Sequence, residues 1–89
     1  MSYDNLNTKI KKDKLTRTVQ IIANKYNYVS FAITVPDGYS ILSINASAQH
    51  NAVLCGQAII QQAAIYIPYI STSGYDAEVF TVDIYMIKQ

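Results

Sequence analysis

Past its first fourteen residues, the chain alternates apolar and polar positions with a period of two, the signature of half-buried β-strands. In 16–23, Val19, Ile21 and Ala23 share one side and Thr18 and Gln20 the other. After a polar link, Asn24-Lys25-Tyr26-Asn27, the run 28–35 sets Val29, Phe31, Ile33 and Val35 against Tyr28, Ser30, Ala32 and Thr34. That alternation predicts an antiparallel strand with one buried face. In 40–49, Leu42, Ile44, Ala46 and Ala48 fall on one side, with Ser43, Asn45, Ser47, Tyr39 and Ile41 on the other.

The second half is choppier. Residues 49–51 predict a loop tip, 52–55 a short strand ended by Gly56, 58–60 another, and 61–63 a break. The run 64–70 contains Pro68, which has no N–H to give a ladder and therefore predicts an edge strand or a bulge. Ser71-Thr72-Ser73-Gly74-Tyr75-Asp76 is the clearest loop. The last strand, 78–87, directs Phe80, Val82, Ile84 and Met86 inward. Its opposite side carries Val79, Thr81, Asp83, Tyr85 and Ile87, too apolar for free solvent, so another sheet or another subunit is expected to cover part of it. A helix over 52–67 is disfavoured by Gly56, Pro68 and the β-branched Ile59, Ile60, Ile65 and Ile67.

Between the second and third runs stands Val35-Pro36-Asp37-Gly38-Tyr39. Pro36 presets φ for the second turn position, Asp37 tolerates the third, and Gly38 accepts φ > 0. The order suits a type I turn closed by a left-handed glycine in a three-residue hairpin loop. It equally suits a corner carrying the chain from one sheet to another. The pattern as a whole predicts an all-β fold, an antiparallel β-sandwich or jelly-roll-like domain of about six to eight short strands over residues 15–89.

Residues 1–14 read differently. Lys9, Lys11, Lys12 and Lys14 crowd with Asp4 and Asp13, and the apolar residues fall to Tyr3, Leu6 and Ile10. Leu6 and Ile10 could form the seam of one or two helical turns, which are marginal alone. A flexible, solvated leader or the end of a stalk fits the same residues.

Composition sharpens the picture. Eighty-nine residues make one small domain with a thin core. Cys55 is the single cysteine and His50 the single histidine, so neither an internal disulfide nor a metal site is expected to reinforce it. Self-association is the remaining reinforcement, and a charged fraction of 15% fits a surface partly covered by copies of the chain. The net charge of +1 does not steer toward nucleic acid, and no apolar run suits a signal peptide or a spanning helix.

Candidate chemistry is sparse. His50 and Cys55 form the one pair with nucleophile–base potential, with nothing in the sequence to orient the imidazole, so no catalytic residue is assigned. Glu78 and Asp83 differ in parity on one strand and face opposite ways, which disfavours an acid–base pair. Gly38, Gly56 and Gly74 are isolated and form no phosphate loop. Neither a cofactor nor a metal ligand set is expected. The eight tyrosines are the unusual feature, since a rigid apolar plate with a polar tip suits protein contacts and sugar rings. Tyr26, Tyr69 and Tyr75, with Asn27, Ser71, Thr72 and Ser73 near predicted loops, are the candidate ligand-facing residues. Val79, Thr81, Tyr85 and Ile87 are the candidate subunit interface.

The segment Val35-Pro36-Asp37-Gly38-Tyr39-Ser40-Ile41-Leu42-Ser43-Ile44 resembles a "VPxGYxLxxI" pattern in C-terminal domains of phage and prophage tail-fibre or minor structural proteins of Gram-positive hosts. The ending Phe80-Thr81-Val82-Asp83-Ile84-Tyr85-Met86-Ile87-Lys88 is similar to their terminal strand, and Ala64-Ile65-Tyr66-Ile67 to the one before it. The resemblance spans residues 16–88. It implies a homotrimeric, non-enzymatic tip domain at the end of a virion fibre, made in the bacterial cytoplasm and touching a host cell-surface glycan or protein, with a stalk joined at the basic leader. A purely structural capping or trimerisation module is the alternative, and a small hydrolase of cell-surface polymer a third class.

Overall fold

The computed structural model describes residues 9–89. Seven strands form two antiparallel sheets: β1 (Ile10–Ile21), β2 (Asn27–Ala32), β3 (Tyr39–Ala48), β4 (Val53–Cys55), β5 (Ile59–Gln61), β6 (Ala64–Ser71) and β7 (Tyr75–Lys88). The first sheet has the order β1-β7-β3. In the second, β6 pairs with β2 on one side and with β4 and β5 end to end on the other. Chain order interleaves the sheets, with β7 returning between β1 and β3 and β6 between β2 and β4. This is a β-sandwich with jelly-roll-like connections, one strand short of the usual eight.

The core lies between the sheets. Phe80, Val82, Ile84 and Met86 of β7 pack with Val29 and Phe31 of β2 and Ile65, Ile67 and Tyr69 of β6, all buried. At about 3.3 Å per residue the fourteen residues of β7 span some 46 Å, which sets the 48 Å long axis of a 48 × 26 × 17 Å molecule. Arg17 of β1 clasps one open side of the sandwich, its Nη1 donating to Ser30 O at 2.7 Å and Ser30 Oγ at 3.0 Å on β2.

Four expectations change. Residues 10–14 belong to β1 and pair with 83–87 of β7, because the long strand β7 offers a ladder that carries the pairing through four consecutive charged residues without any alternation to signal it. Leu6, the other half of the suggested helical seam, lies outside the described residues. The Pro36–Tyr39 segment is the corner between sheets. Its turn is one residue later than predicted, since Tyr39 N–H donates to Pro36 O at 3.1 Å and Gly38, with φ 81°, holds the third position.

Pro68 sits on the central strand β6, where β4 stops and β5 has not begun. Its carbonyl accepts the Gly56 N–H at 2.7 Å. In a strand the N and C=O of one residue point the same way, so the missing N–H faces the interrupted side. Finally, β3 carries a bulge between Ile41 and Ser43. Leu42 is the extra residue and is 54% exposed, while Tyr39, Ile41, Ile44, Ala46 and Ala48 all lean on the core.

Candidate functional site

Three connections meet at one end of the sandwich: residues 22–26, 49–52 and 72–74. They are stitched by backbone bonds. Asn24 N–H donates to Ser71 O at 2.7 Å, Thr72 N–H to Ala52 O at 3.3 Å, and Gln49 N–H to Val79 O at 3.1 Å. Asn24 takes a left-handed φ of 61°, a conformation asparagine tolerates well. A Cβ at Gly74 would stand 3.3 Å from Ile21 O, so the 72–74 loop lies tight against the end of β1.

Beneath these loops lies Glu78, a fully buried acid. A buried carboxylate is costly unless its oxygens are engaged. His50 engages both: its backbone N–H donates to Oε1 at 2.9 Å, and its Nδ1 shares a short hydrogen bond with Oε2. The imidazole stacks on Tyr75 with centroids 3.9 Å apart and planes 10° from parallel. Tyr75 reaches that side because β1 and β7 shift register between Val19 and Ile21, bringing Tyr75 opposite Ile21 and Glu78 opposite Val19. Simple alternation would place Tyr75 and Glu78 on opposite sides of β7.

The cluster is an oriented imidazole without an activated nucleophile. Burial first, and the Glu78 charge second, push the Cys55 thiol above its usual pKa, away from thiolate. Among the described residues no group of three His, Cys, Asp or Glu side chains could hold a metal. The geometry therefore builds a clamp: Glu78 ties the 49–52 loop to β7 and holds the His50–Tyr75 pair at the end of the sandwich.

The candidate ligand residues divide. Tyr26 is 58% exposed, and Thr72 and Ser73 stand open on the loop. Asn27 is exposed at the start of β2, its Oδ1 accepting from Tyr28 N–H at 2.8 Å. Tyr75 is half-buried on His50. Tyr69 and Ser71 are not available. Tyr69 packs its ring on Phe80 at 4.9 Å, and burial pushes its phenol pKa up. Ser71 is buried, its Oγ donating to Ser73 O at 2.6 Å and accepting from Ser73 N–H at 3.2 Å. Both share the inward side of β6 with Ile65 and Ile67, a consequence of strand parity. Sequence reasoning missed Glu78 as the group that orients His50. Its inward parity with Phe80 was the signal, since an acid on a core-facing side needs a partner.

The candidate interface residues lie on the outer side of the first sheet, where no strand among the described residues covers them. Val79, Thr81, Tyr85 and Ile87 are half-buried by their neighbours on β1 and β3. Those neighbours are mostly polar: Lys12, Lys14, Thr16 and Thr18 on one side, Ser40, Ser43, Asn45 and Ser47 on the other. Lys12 Nζ stands 5.6 Å from the Tyr85 ring centre and 4.0 Å from Asp83 Oδ1.

The outer side of the second sheet is different. It presents Tyr26, Tyr28, Leu54, Ile59 and Ile70, with half-buried Tyr66 and buried Pro68 between them, around two shallow apolar depressions. One, of about 230 Å³, is lined by Tyr28, Ile59, Gln61 and Tyr66. The other, of about 260 Å³, lies over Gly56 and Pro68 between Tyr26, Leu54 and Ile70. A cleft of about 210 Å³ opens between the sheets at the far end, walled by Leu15, Ile33, Val35, Ile84 and Met86 with Asp13 at its mouth. No family model, curated protein or solved structure matches the chain.

Proposed function

We propose that this chain is a non-enzymatic adhesion module, the tip domain of a phage tail-fibre-like assembly that works as a homotrimer on a host cell surface, with carbohydrate as the ligand class. The observation that carries the reading is the gathering of three connections at one end, bearing the stacked His50–Tyr75 pair, with Thr72, Ser73 and, where the first connection enters β2, Asn27 exposed. Aromatic faces flanked by hydroxyl and amide groups suit sugar rings. Each such site is small and open, so single-site affinity is weak. Several copies on one rigid head convert later contacts into intramolecular ones and raise avidity by roughly 10²–10⁴. In this reading the protein sits on the virion, and the basic residues that begin β1 face the fibre stalk.

The test is binding of the purified chain to Gram-positive cells and to a glycan array. Tyr75→Ala and Thr72→Ala are expected to lower binding at least tenfold with the oligomer and strand spectrum unchanged. A folded oligomer that binds neither cells nor any glycan would discard adhesion. It would leave the second reading, a structural cap of a fibre, which the uncharged outer side of the second sheet favours.

A further inference from the structure

We infer that the outer side of the second sheet is where copies of this chain pack on one another. This deepens the oligomeric part of the proposed function and rests on it, and it moves the contact away from Val79, Thr81, Tyr85 and Ile87. The surface runs across β2, β6 and the split β4–β5 edge. Its exposed members are Leu54 at 63%, Tyr26 at 58%, Tyr28 at 48%, and Ile59 and Ile70 at 41% each. Isolated apolar residues on a surface are ordinary, but these five are contiguous through Pro68 and Tyr66.

The size of the surface fits an assembly contact. The exposed parts of these side chains come to roughly 500–600 Å², the upper end of what a monomer carries. That is most of the ~800 Å² per partner found in a standard stable interface.

Its charge identifies the occupant. None of the strands β2, β4, β5 and β6 contains a Lys, Arg, Asp or Glu. Ser30, Ala32, Gln61 and Ala64 fill the remaining positions, and Arg17 marks the rim at Ser30. A charged partner would find nothing to pair with here. Three copies that turn this surface toward a common three-fold axis meet no like charge there, and the apolar residues nearest the axis meet their own equivalents.

A sugar is a poorer fit, because the hydrogen-bonding groups are few. They are the Gln61 and Gln62 amides at one margin, beside an open depression of about 590 Å³, Ser30 Oγ, already held by Arg17, and the tyrosine hydroxyls, of which Tyr26 and Tyr28 already face each other at 3.4 Å. The split in the edge supports the same assignment. Gly56 lies so close to Pro68 that a Cβ there would stand 2.9 Å from the ring, and the shallow depression over the two, between Tyr26, Leu54 and Ile70, is a seat for a neighbour's side chain.

The experiment is light scattering on the full chain and three variants, each checked for its strand spectrum. The unaltered protein is expected to run at a multiple of 9.9 kDa, Leu54→Lys at a single chain, and Thr81→Lys, on the opposite outer side, at the unaltered multiple. Should Leu54→Lys lose its strand spectrum, Ile59→Lys on the separate strand β5 is read in its place with the same expectation. A monomeric unaltered protein overturns the inference. So does an oligomer that survives the lysine on β4 or β5, and so does one that dissolves only with Thr81→Lys. Cell binding is scored separately: an oligomer that adheres to nothing removes the adhesion reading and leaves this contact standing.

Discussion

β7 and β6 are the central strands of the two sheets, and both bury one side in the same core, yet their outer sides differ. β7 shows Thr81, Asp83 and Tyr85 among serines, threonines, an asparagine and two lysines of β1 and β3. β6 shows Ile70 and the half-buried Tyr66, with Pro68 buried between them against Gly56, among tyrosines, a leucine and an isoleucine. The first sheet is made of long strands whose neighbours shelter the apolar side chains at Val79 and Ile87. The second is made of short strands with an interrupted edge, so its apolar side chains stay open. Continuity of the ladder, as much as the residues on β7 itself, decides how much of its outer side is uncovered. The lesson is that an apolar tally along one strand does not locate an interface; the adjacent strands must be counted with it.

The largest test of this contrast acts on the first sheet, whose inner side holds the buried acid. His50→Ala leaves Glu78 without its side-chain partner, and a buried carboxylate stripped of its partner costs about 3–5 kcal/mol. Urea denaturation should show that loss, and adding Glu78→Met should recover part of it. A His50→Ala variant as stable as the parent would mean that Glu78 is hydrated and the clamp absent.

Gly56→Ala acts on the second sheet. Its new Cβ meets the Pro68 ring at 2.9 Å, and relieving that contact is expected to cost about 1–3 kcal/mol through displacement of β4 or β6. An unchanged urea midpoint would show that the split edge is loose and the seat beside it unformed. Smaller again is the contrast within β3. Ile44→Ser removes a core contact and should cost about 2 kcal/mol, whereas Leu42→Ser, at the bulge, should stay within about 0.5 kcal/mol. Equal costs would place the bulge elsewhere.

The smallest effect is alkaline. Burial holds the folded Cys55 thiol above its ordinary value of 9.0, so the unfolded chain gives up that proton first. The stability from the neutral thiol is complete below pH 9 and lost as pH rises past it. Cys55→Ala should therefore lose less of its urea midpoint between pH 8 and pH 10 than the parent does. Tyr69 repeats the sign at higher pH.

Most of the fold was legible. The inward set of β7, the strand at 29–31, the loop tip at 49–51, the break read at 61–63 (of which Gln61 ends β5) and the sandwich itself follow from period-two alternation and turn chemistry. Two of the parts that were not legible share one cause. A bulge adds a residue to one strand and not to its partner, so parity fails beyond it. That is why Leu42 points out while Ile41 and Ile44 both point in, and why Tyr75 meets His50 above Glu78. Tyr69 and Ser71 were read as loop-end residues because the loop begins nearby. In fact β6 continues through Ser71, and their parity turns them into the core.

Local sequence determined which segments become strands and which of their residues are apolar, because a strand's two sides are written into every second position. It determined that the Pro36–Tyr39 segment turns, because Gly38 alone there takes a left-handed φ without strain. Pairing between distant strands decided the rest: the order β1-β7-β3, the halting of β4 opposite Pro68, the gathering of three loops over Glu78, and which outer side is left bare. Those outcomes depend on neighbours from 14 to 77 residues away, whose energies no short window of the chain contains.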